Sequence, residues 1–346
     1  MSTKPKLVIG ANGFLGSHVA RQLVADGAEV RAMVRSTANT RSIDDLQVTR
    51  FHGDVFDTDM VREAMDGCDD VYYCVVDTRA WLRDPSPLFR TNVEGLRNVL
   101  DIAVKQDLRR FVFTSTYVTV GRRHGHVATE DDLIGSRGLT PYVQSRVQAE
   151  DLVMRYVAEA SLPAVAMCVS TTYGSGDWGR TPHGAFISGT VFGKLPFVMN
   201  GIQLEAVGVD DAARAMILGA ERGRVGERYL ISERMVALTE VVRIAADEAG
   251  VPSPPRSISV PALALYAMGA LGSLKARLTG KDAELSLNSV RLMRAEADVD
   301  HSKAIRELGW QPRPVEESIR DAARFWAAMR TAKKSGAAAQ SDWCSP

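Results

Sequence analysis

Residues Lys6–Gly16 read KLVIGANGFLG: an apolar run of strand length, then three glycines at Gly10, Gly13 and Gly16, then a helix-period segment from Leu15 to Ala25. Each glycine has a physical task in such a turn. Gly10 permits the tight bend, Gly13 lets backbone approach a pyrophosphate, and Gly16 lets the helix pack closely on the strand. The helix start, at Phe14 and Leu15, supplies free amides and the positive end of the helix dipole. The turn therefore suits an anion. Directly after a strand and opening a helix, it stands where a dinucleotide fingerprint belongs. An ordinary strand-to-helix turn is the competing reading.

Outward from this turn, strand-length runs alternate with helical segments. Val30–Val34, Val48–His52, Val71–Val76 and Phe111–Thr114 read as strands, and Asp59–Met65 and Leu88–Val104 as helices. That alternation predicts an α/β fold, a doubly wound parallel sheet covered on both faces. A nucleotide domain is expected over residues 1–170, with later sheet elements interleaved from 200–232. A smaller substrate lobe follows over 171–330, where Gly and Pro loosen the pattern. From Lys333 to Pro346 the composition favours disorder.

Lys plus Arg equals Asp plus Glu at 42 each, so no net field draws the chain to nucleic acid, and a small-molecule partner is the default. The four cysteines, at 68, 74, 168 and 344, lack zinc-site spacing, and no metal is expected. The N-terminus enters a strand at once, without the charged and apolar zones of a cleavable leader. A cytoplasmic protein with reduced thiols is the expectation.

The second strand ends VRAMVRS (30–36) without the acid that accepts the adenine ribose of NAD; Arg35 stands there instead, with Arg41 nearby. An arginine at this position accommodates the 2′-phosphate of NADP, so NADP is favoured and NAD stays open. A solvated arginine at a strand end is the alternative.

Four further motifs occur in order: GDVFD (53–57), TNVEGLRNVL (91–100), FVFTSTYVTVG (111–121) and TPYVQSRVQAE (140–150). With the GxxGxxG turn and CVSTTYGSGD (168–177), they resemble the extended short-chain dehydrogenase/reductases, the NAD-dependent epimerase/dehydratase family with its Rossmann fold. VRAMVRS, VGVDDAARA, GERYLIS and KAIRELGWQPRP look most like its dihydroflavonol 4-reductase and 3β-hydroxysteroid dehydrogenase members. The resemblance implies that Asp54, followed by Val55, contacts adenine, although an Asx turn also explains an aspartate there. It implies Thr116 as the hydroxyl on the substrate oxygen and Tyr142 as acid/base. Val75, Val76, Val169 and Thr172 fall near the nicotinamide. Asn92 orients backbone or water near the site, or caps a helix.

The family's lysine, one helical turn after the tyrosine, is Arg146 here. The i to i+4 spacing keeps it on the tyrosine's face. Its positive charge is expected to lower the phenol's pKa and its donors to hold the nicotinamide ribose. The exchange is not conservative, because a planar fork replaces a compact ammonium.

An oxidoreductase for a hydrophobic secondary alcohol or ketone, steroid-like or aryl, follows from the resemblance. A nucleotide-binding sensor or scaffold without turnover is the second reading, and a sugar-nucleotide epimerase the third. The nearly uncharged Val260–Leu274 is too short to span a membrane. A buried core helix is the default there; a roof over an apolar substrate and a dip into a membrane interface are the alternatives. The two long helices after the fourth and fifth strands offer a homodimer seam.

Overall fold

The computed structural model describes residues 4–121, 125–135, 138–252, 257–293 and 298–334. Its strands are β1 (Lys6–Ile9), β2 (Val30–Val34), β3 (Thr49–His52), β4 (Asp70–Tyr73), β5 (Arg110–Thr116), β6 (Ala164–Val169), β7 (Thr171–Tyr173), β8 (Val198–Met199), β9 (Gln203–Gly208), β10 (Arg228–Ile231), β11 (Arg234–Ala237) and β12 (Ser257–Ile258). Seven of them form the central sheet in the order β10-β6-β5-β4-β1-β2-β3, every pairing parallel. Chain progression runs one way from β1 to β3 and the other way from β4 to β6. The reversal lies between β1 and β4, and ligands of doubly wound sheets bind beyond the strand ends at such a point.

Strand alternation assigns the two faces. Val8, Ala32, Tyr72, Val112 and Val165 pack beneath helices Phe14–Ala25 and Val209–Arg222. Leu7, Met33, Tyr73, Phe111 and Phe113 face helices Thr58–Met65, Leu96–Ala103 and Pro141–Ala160. Both faces are buried, which explains why these strands read as continuous apolar runs. Helix Leu96–Ala103 is reached through Ser86–Phe89 and a π-helical stretch, Arg90–Gly95, so the predicted single helix contains a wide turn.

A second layer rests on the three-stranded sheet β11-β9-β7. Its core joins Tyr173, Ala206 and Val236 to helices Gly184–Val191, Leu238–Glu248 and Val315–Lys334. Of the region expected to return to the central sheet, β10 does so at its edge, whereas β9 belongs to this second sheet.

Two expectations are corrected here. Val260–Leu274 does not form a core helix. In helix Ala262–Thr279 only Leu265, Gly269 and Ala276 are buried, because one leucine and the small residues face the protein while the other leucines do not. Lys333 and Lys334 continue the last helix instead of opening a disordered tail; residues 335–346, with Trp343 and Cys344, lie outside the described residues. Cys68, Cys74 and Cys168 are free thiols. No described helix is long and apolar enough to cross a membrane.

Candidate active site

The glycine turn sits where the sheet reverses. Gly10 takes φ +83, a left-handed conformation that favours glycine, and its amide donates to Met33 O at 3.0 Å. A Cβ on Gly10 would lie 3.0 Å from Val75 Cγ2, so the loop after β4 closes directly on the turn. Gly16 answers a different need: a Cβ there would stand 2.3 Å from Gly10 O. The first helical bond of Phe14–Ala25 runs from Ser17 N to Gly13 O at 2.9 Å, leaving the amides of Phe14, Leu15 and Gly16 ahead of the ladder. Gly13 caps this helix without a side-chain bond, and its first turn holds no acid. An anion is the partner these amides lack.

Beyond β2, Arg35 is exposed and makes no ion pair among the described residues. Arg41 is engaged elsewhere, its guanidinium 5.9 Å from the centre of the Trp178 ring. Asp54 follows β3, exposed, and Oδ1 accepts the Phe56 amide at 3.2 Å, an Asx turn; Val55 beside it is buried. The turn and an adenine contact are compatible, because the carboxylate keeps acceptor capacity. Val75 and Val76 are half-buried in the loop after β4.

The acid/base candidates converge at the carboxyl end of β5. Thr116 ends that strand and pairs in register with Val169, the last residue of β6. Thr172 lies on β7, half-buried. Tyr142 is held in the first turn of helix Pro141–Ala160 by two starting signals: Pro141 at the opening position, and Thr140 Oγ1 accepting the Val143 amide at 3.4 Å. The Thr116 side chain lies near enough to the Tyr142 phenol to lower its pKa.

Arg146, one turn on, is wholly buried. Nη2 donates to Thr114 O, the guanidinium lies 5.2 Å from the centre of the Phe113 ring, and Nε and Nη1 have no protein partner. The expected depression of the phenol's pKa is corrected. Burial pushes the Tyr142 phenol above the ordinary tyrosine value; Arg146 and Thr116 pull it down and nearby Asp77 raises it, with a net rise. At neutral pH the residue is a phenol, a proton donor.

Asn92 was legible as one of two readings, and Glu150 was not legible as a participant. Asn92 is no helix cap: Oδ1 accepts the Asp77 amide at 2.8 Å, and Nδ2 donates to Asp77 O at 3.1 Å and Ser145 Oγ at 3.0 Å. Ser145 Oγ in turn donates to Tyr142 O at 2.8 Å, so one buried amide ties the loop after β4 to the tyrosine's turn. Ser115, beside Thr116, points away from the site and donates to Glu150. The same carboxylate accepts from Thr119 at 3.0 Å and pairs with Arg228 on β10 at 2.8 Å. Tyr142, Arg146 and Glu150 follow an i, i+4, i+8 line, the signal that could have revealed this third member. A cavity of about 210 Å³, lined by Phe192, Trp326 and Met329 among others, lies between helices Gly184–Val191 and Val315–Lys334; none of Thr116, Tyr142 and Arg146 lines it.

Comparison with known proteins bears on the family and the fold. The model of the NAD dependent epimerase/dehydratase family matches residues 6–232. A putative dihydroflavonol 4-reductase of Synechocystis sp. is 28% identical over 331 residues, which is 92% of this chain and 93% of that protein. A 4-hydroxy-2-methyl-3-oxo-4-farnesyl-3,4-dihydroquinoline-1-oxide ketoreductase of Stigmatella aurantiaca is 28% identical over 323 residues, 92% of this chain and 95% of that protein. The crystal structure of gox2253 superposes with a TM-score of 0.82 at 30% identity, covering 94% of this chain and 98% of that one.

Proposed function

The chain belongs to the NAD-dependent epimerase/dehydratase family, and we propose that it is an NADP-preferring oxidoreductase that interconverts a hydrophobic secondary alcohol and its ketone. The convergence of Thr116, Tyr142 and Arg146 at the carboxyl end of β5, two strands from the glycine turn after β1, carries this reading. The residues present fit a dinucleotide. Gly10, Gly13 and Gly16 with the amides of Phe14, Leu15 and Gly16 would hold its pyrophosphate, Asp54 and Val55 its adenine, and Arg35 its 2′-phosphate. Val75, Val76, Val169 and Thr172 would flank the nicotinamide. The bound nicotinamide supplies or accepts the hydride.

The protein's own work is proton transfer. Thr116 hydrogen-bonds the carbonyl oxygen and Tyr142 donates its phenolic proton to that oxygen. In the reverse direction the same phenol must first lose its proton, which its raised pKa disfavours at neutral pH. The protonated phenol that reduction uses is therefore the form present at neutral pH. Arg146 stabilises the phenolate as it forms, through charge and without moving. Its unpartnered Nε and Nη1 are the donors it would offer to the nicotinamide ribose.

The ketoreductase relative supports a hydrophobic ketone as substrate class. Helices Leu96–Ala103 and Pro141–Ala160, which touch through Tyr156 Oη and Asp101 at 2.5 Å, are the proposed homodimer seam. The test is a screen of steroid and aryl ketones with NADPH and NADH, following nicotinamide absorbance, with nucleotide sugars as a separate arm. Turnover of a hydrophobic ketone that Tyr142→Phe abolishes supports the reading. Cofactor binding without turnover of any ketone favours the sensor, the reading to which the substituted Arg146 points. Conversion of a nucleotide sugar favours the epimerase.

A further inference from the structure

Helix Ala262–Thr279 packs on the protein through Leu265 and its small residues Gly269 and Ala276. A Cβ on Gly269 would lie 2.8 Å from Val290 Cγ2, and one on Gly272 would lie 2.0 Å from Leu285 O, so the contact with helix Leu287–Met293 and the loop before it depends on glycine. The other leucines go the other way. Leu263, Leu271, Leu274 and Leu278 are 82%, 66%, 51% and 78% exposed, and Met268 is exposed beside them. Steps of three, four and eight residues place the four leucines on one stripe. This helix inverts the usual arrangement, in which the apolar stripe faces the core. A contiguous exposed apolar stripe marks an interaction surface.

Charge says what that surface meets. From Val260 to Lys281 the sequence holds no Asp or Glu, but carries Lys275, Arg277 and Lys281. All three are exposed, and none is in an ion pair among the described residues. At 100° per residue, Lys275 and Arg277 fall on opposite flanks of the leucine stripe. The far end of the helix adjoins the loop that follows Asp77, because Asp282 Oδ1 accepts the Arg83 amide at 2.8 Å.

We propose that helix Ala262–Thr279 is an interfacial helix that lies flat on an anionic lipid bilayer. Its leucines enter the acyl boundary and its flanking cations meet the phosphate headgroups. The helix does not cross the membrane, and the inference does not depend on the redox reading. A protein surface would need acids opposite these cations as well as an apolar groove, whereas an anionic bilayer offers both features everywhere.

The test is flotation of the full chain with vesicles of phosphatidylcholine alone or mixed with phosphatidylglycerol. The chain is expected to float with the mixed vesicles and to be released when salt shortens the screening length from about 10 Å to about 3 Å. Leu271→Glu with Leu274→Glu should lower partitioning by about a hundredfold, since each buried leucine contributes roughly tenfold. Lys275→Glu with Arg277→Glu should abolish the preference for phosphatidylglycerol. Circular dichroism should be unchanged in both variants, as all four side chains are exposed. The proposal is overturned if the parent does not float or if the leucine variant floats equally well. It is also overturned if sedimentation shows a dimer that the leucine substitutions dissolve while vesicles remain unbound.

Discussion

Replacing Gly16 with alanine would test the nucleotide site at its tightest point. The added Cβ would lie 2.3 Å from Gly10 O, 3.0 Å from Gly10 C and 3.3 Å from Ala11 Cα, all backbone atoms that cannot swing aside. Ordinary contact requires more than 3 Å, so the helix start must move off the turn by roughly 1 Å. Overpacking of this kind costs about 1–3 kcal/mol of stability. The amides of Phe14 and Leu15 move with the helix. Losing one charge-assisted hydrogen bond to a phosphate costs about 1.5–3 kcal/mol, which is roughly ten- to a hundredfold in Kd. Calorimetric titration with NADPH and thermal melting measure the two effects. Gly179→Ala is the control, because nothing lies within 4 Å of its Cβ. A Gly16→Ala protein that melts with the parent and binds NADPH equally well would refute both the packing argument and the placement of the pyrophosphate.

Other outcomes follow from the same geometry. Tyr142→Phe should leave NADPH binding intact and lower turnover by about 10²–10⁴-fold, measured by nicotinamide absorbance; unchanged turnover removes Tyr142 from the reaction. Because the Tyr142 pKa is raised, the acid form persists through neutral pH. The reductive rate should therefore hold until pH climbs past the ordinary tyrosine range, while the oxidative rate increases with pH. Arg146→Met should move the pH profile further upward, since the phenolate loses its nearest cation, whereas Arg146→Lys should retain activity; identical profiles for parent and Arg146→Met would make Arg146 purely structural. Parent protein should bind NADPH more tightly than NADH, and Arg35→Ala should erase most of the difference, as two competitive titrations would show.

The parts of this molecule that were legible are those written in local chemistry. The glycine turn, the period of the strands and the Thr140–Pro141 helix start each constrain backbone within a few residues, so KLVIGANGFLG and TPYVQSRVQAE announced their own structure. The remainder depends on what surrounds a residue. Spacing placed Arg146 on the face of Tyr142, but only the folded surroundings showed that desolvation outweighs its charge at the phenol. Asn92 reads equally well as a cap or a brace until the loop after β4 is folded against it. The leucines of Ala262–Thr279 have helical period whichever way they face. Gly269 and Gly272 decided the orientation, by allowing the neighbouring chain to approach on their side.

The pairing of Glu150 with Arg228 across the edge of the central sheet has a consequence for how the protein is made. A ribosome releases everything up to β6 before it has translated β10. Throughout that interval β6 presents unpaired amides and carbonyls along one side, a template for another chain. The helix that bears Tyr142 then packs with an acid whose counterion does not yet exist, a costly state for a buried carboxylate. The arrival of Arg228 closes the strand edge and neutralises that acid in one event. Translation stalled between β6 and β10 should therefore leave a nascent chain that aggregates or recruits a chaperone, and the proton-transfer centre assembles only after the second layer has begun to emerge.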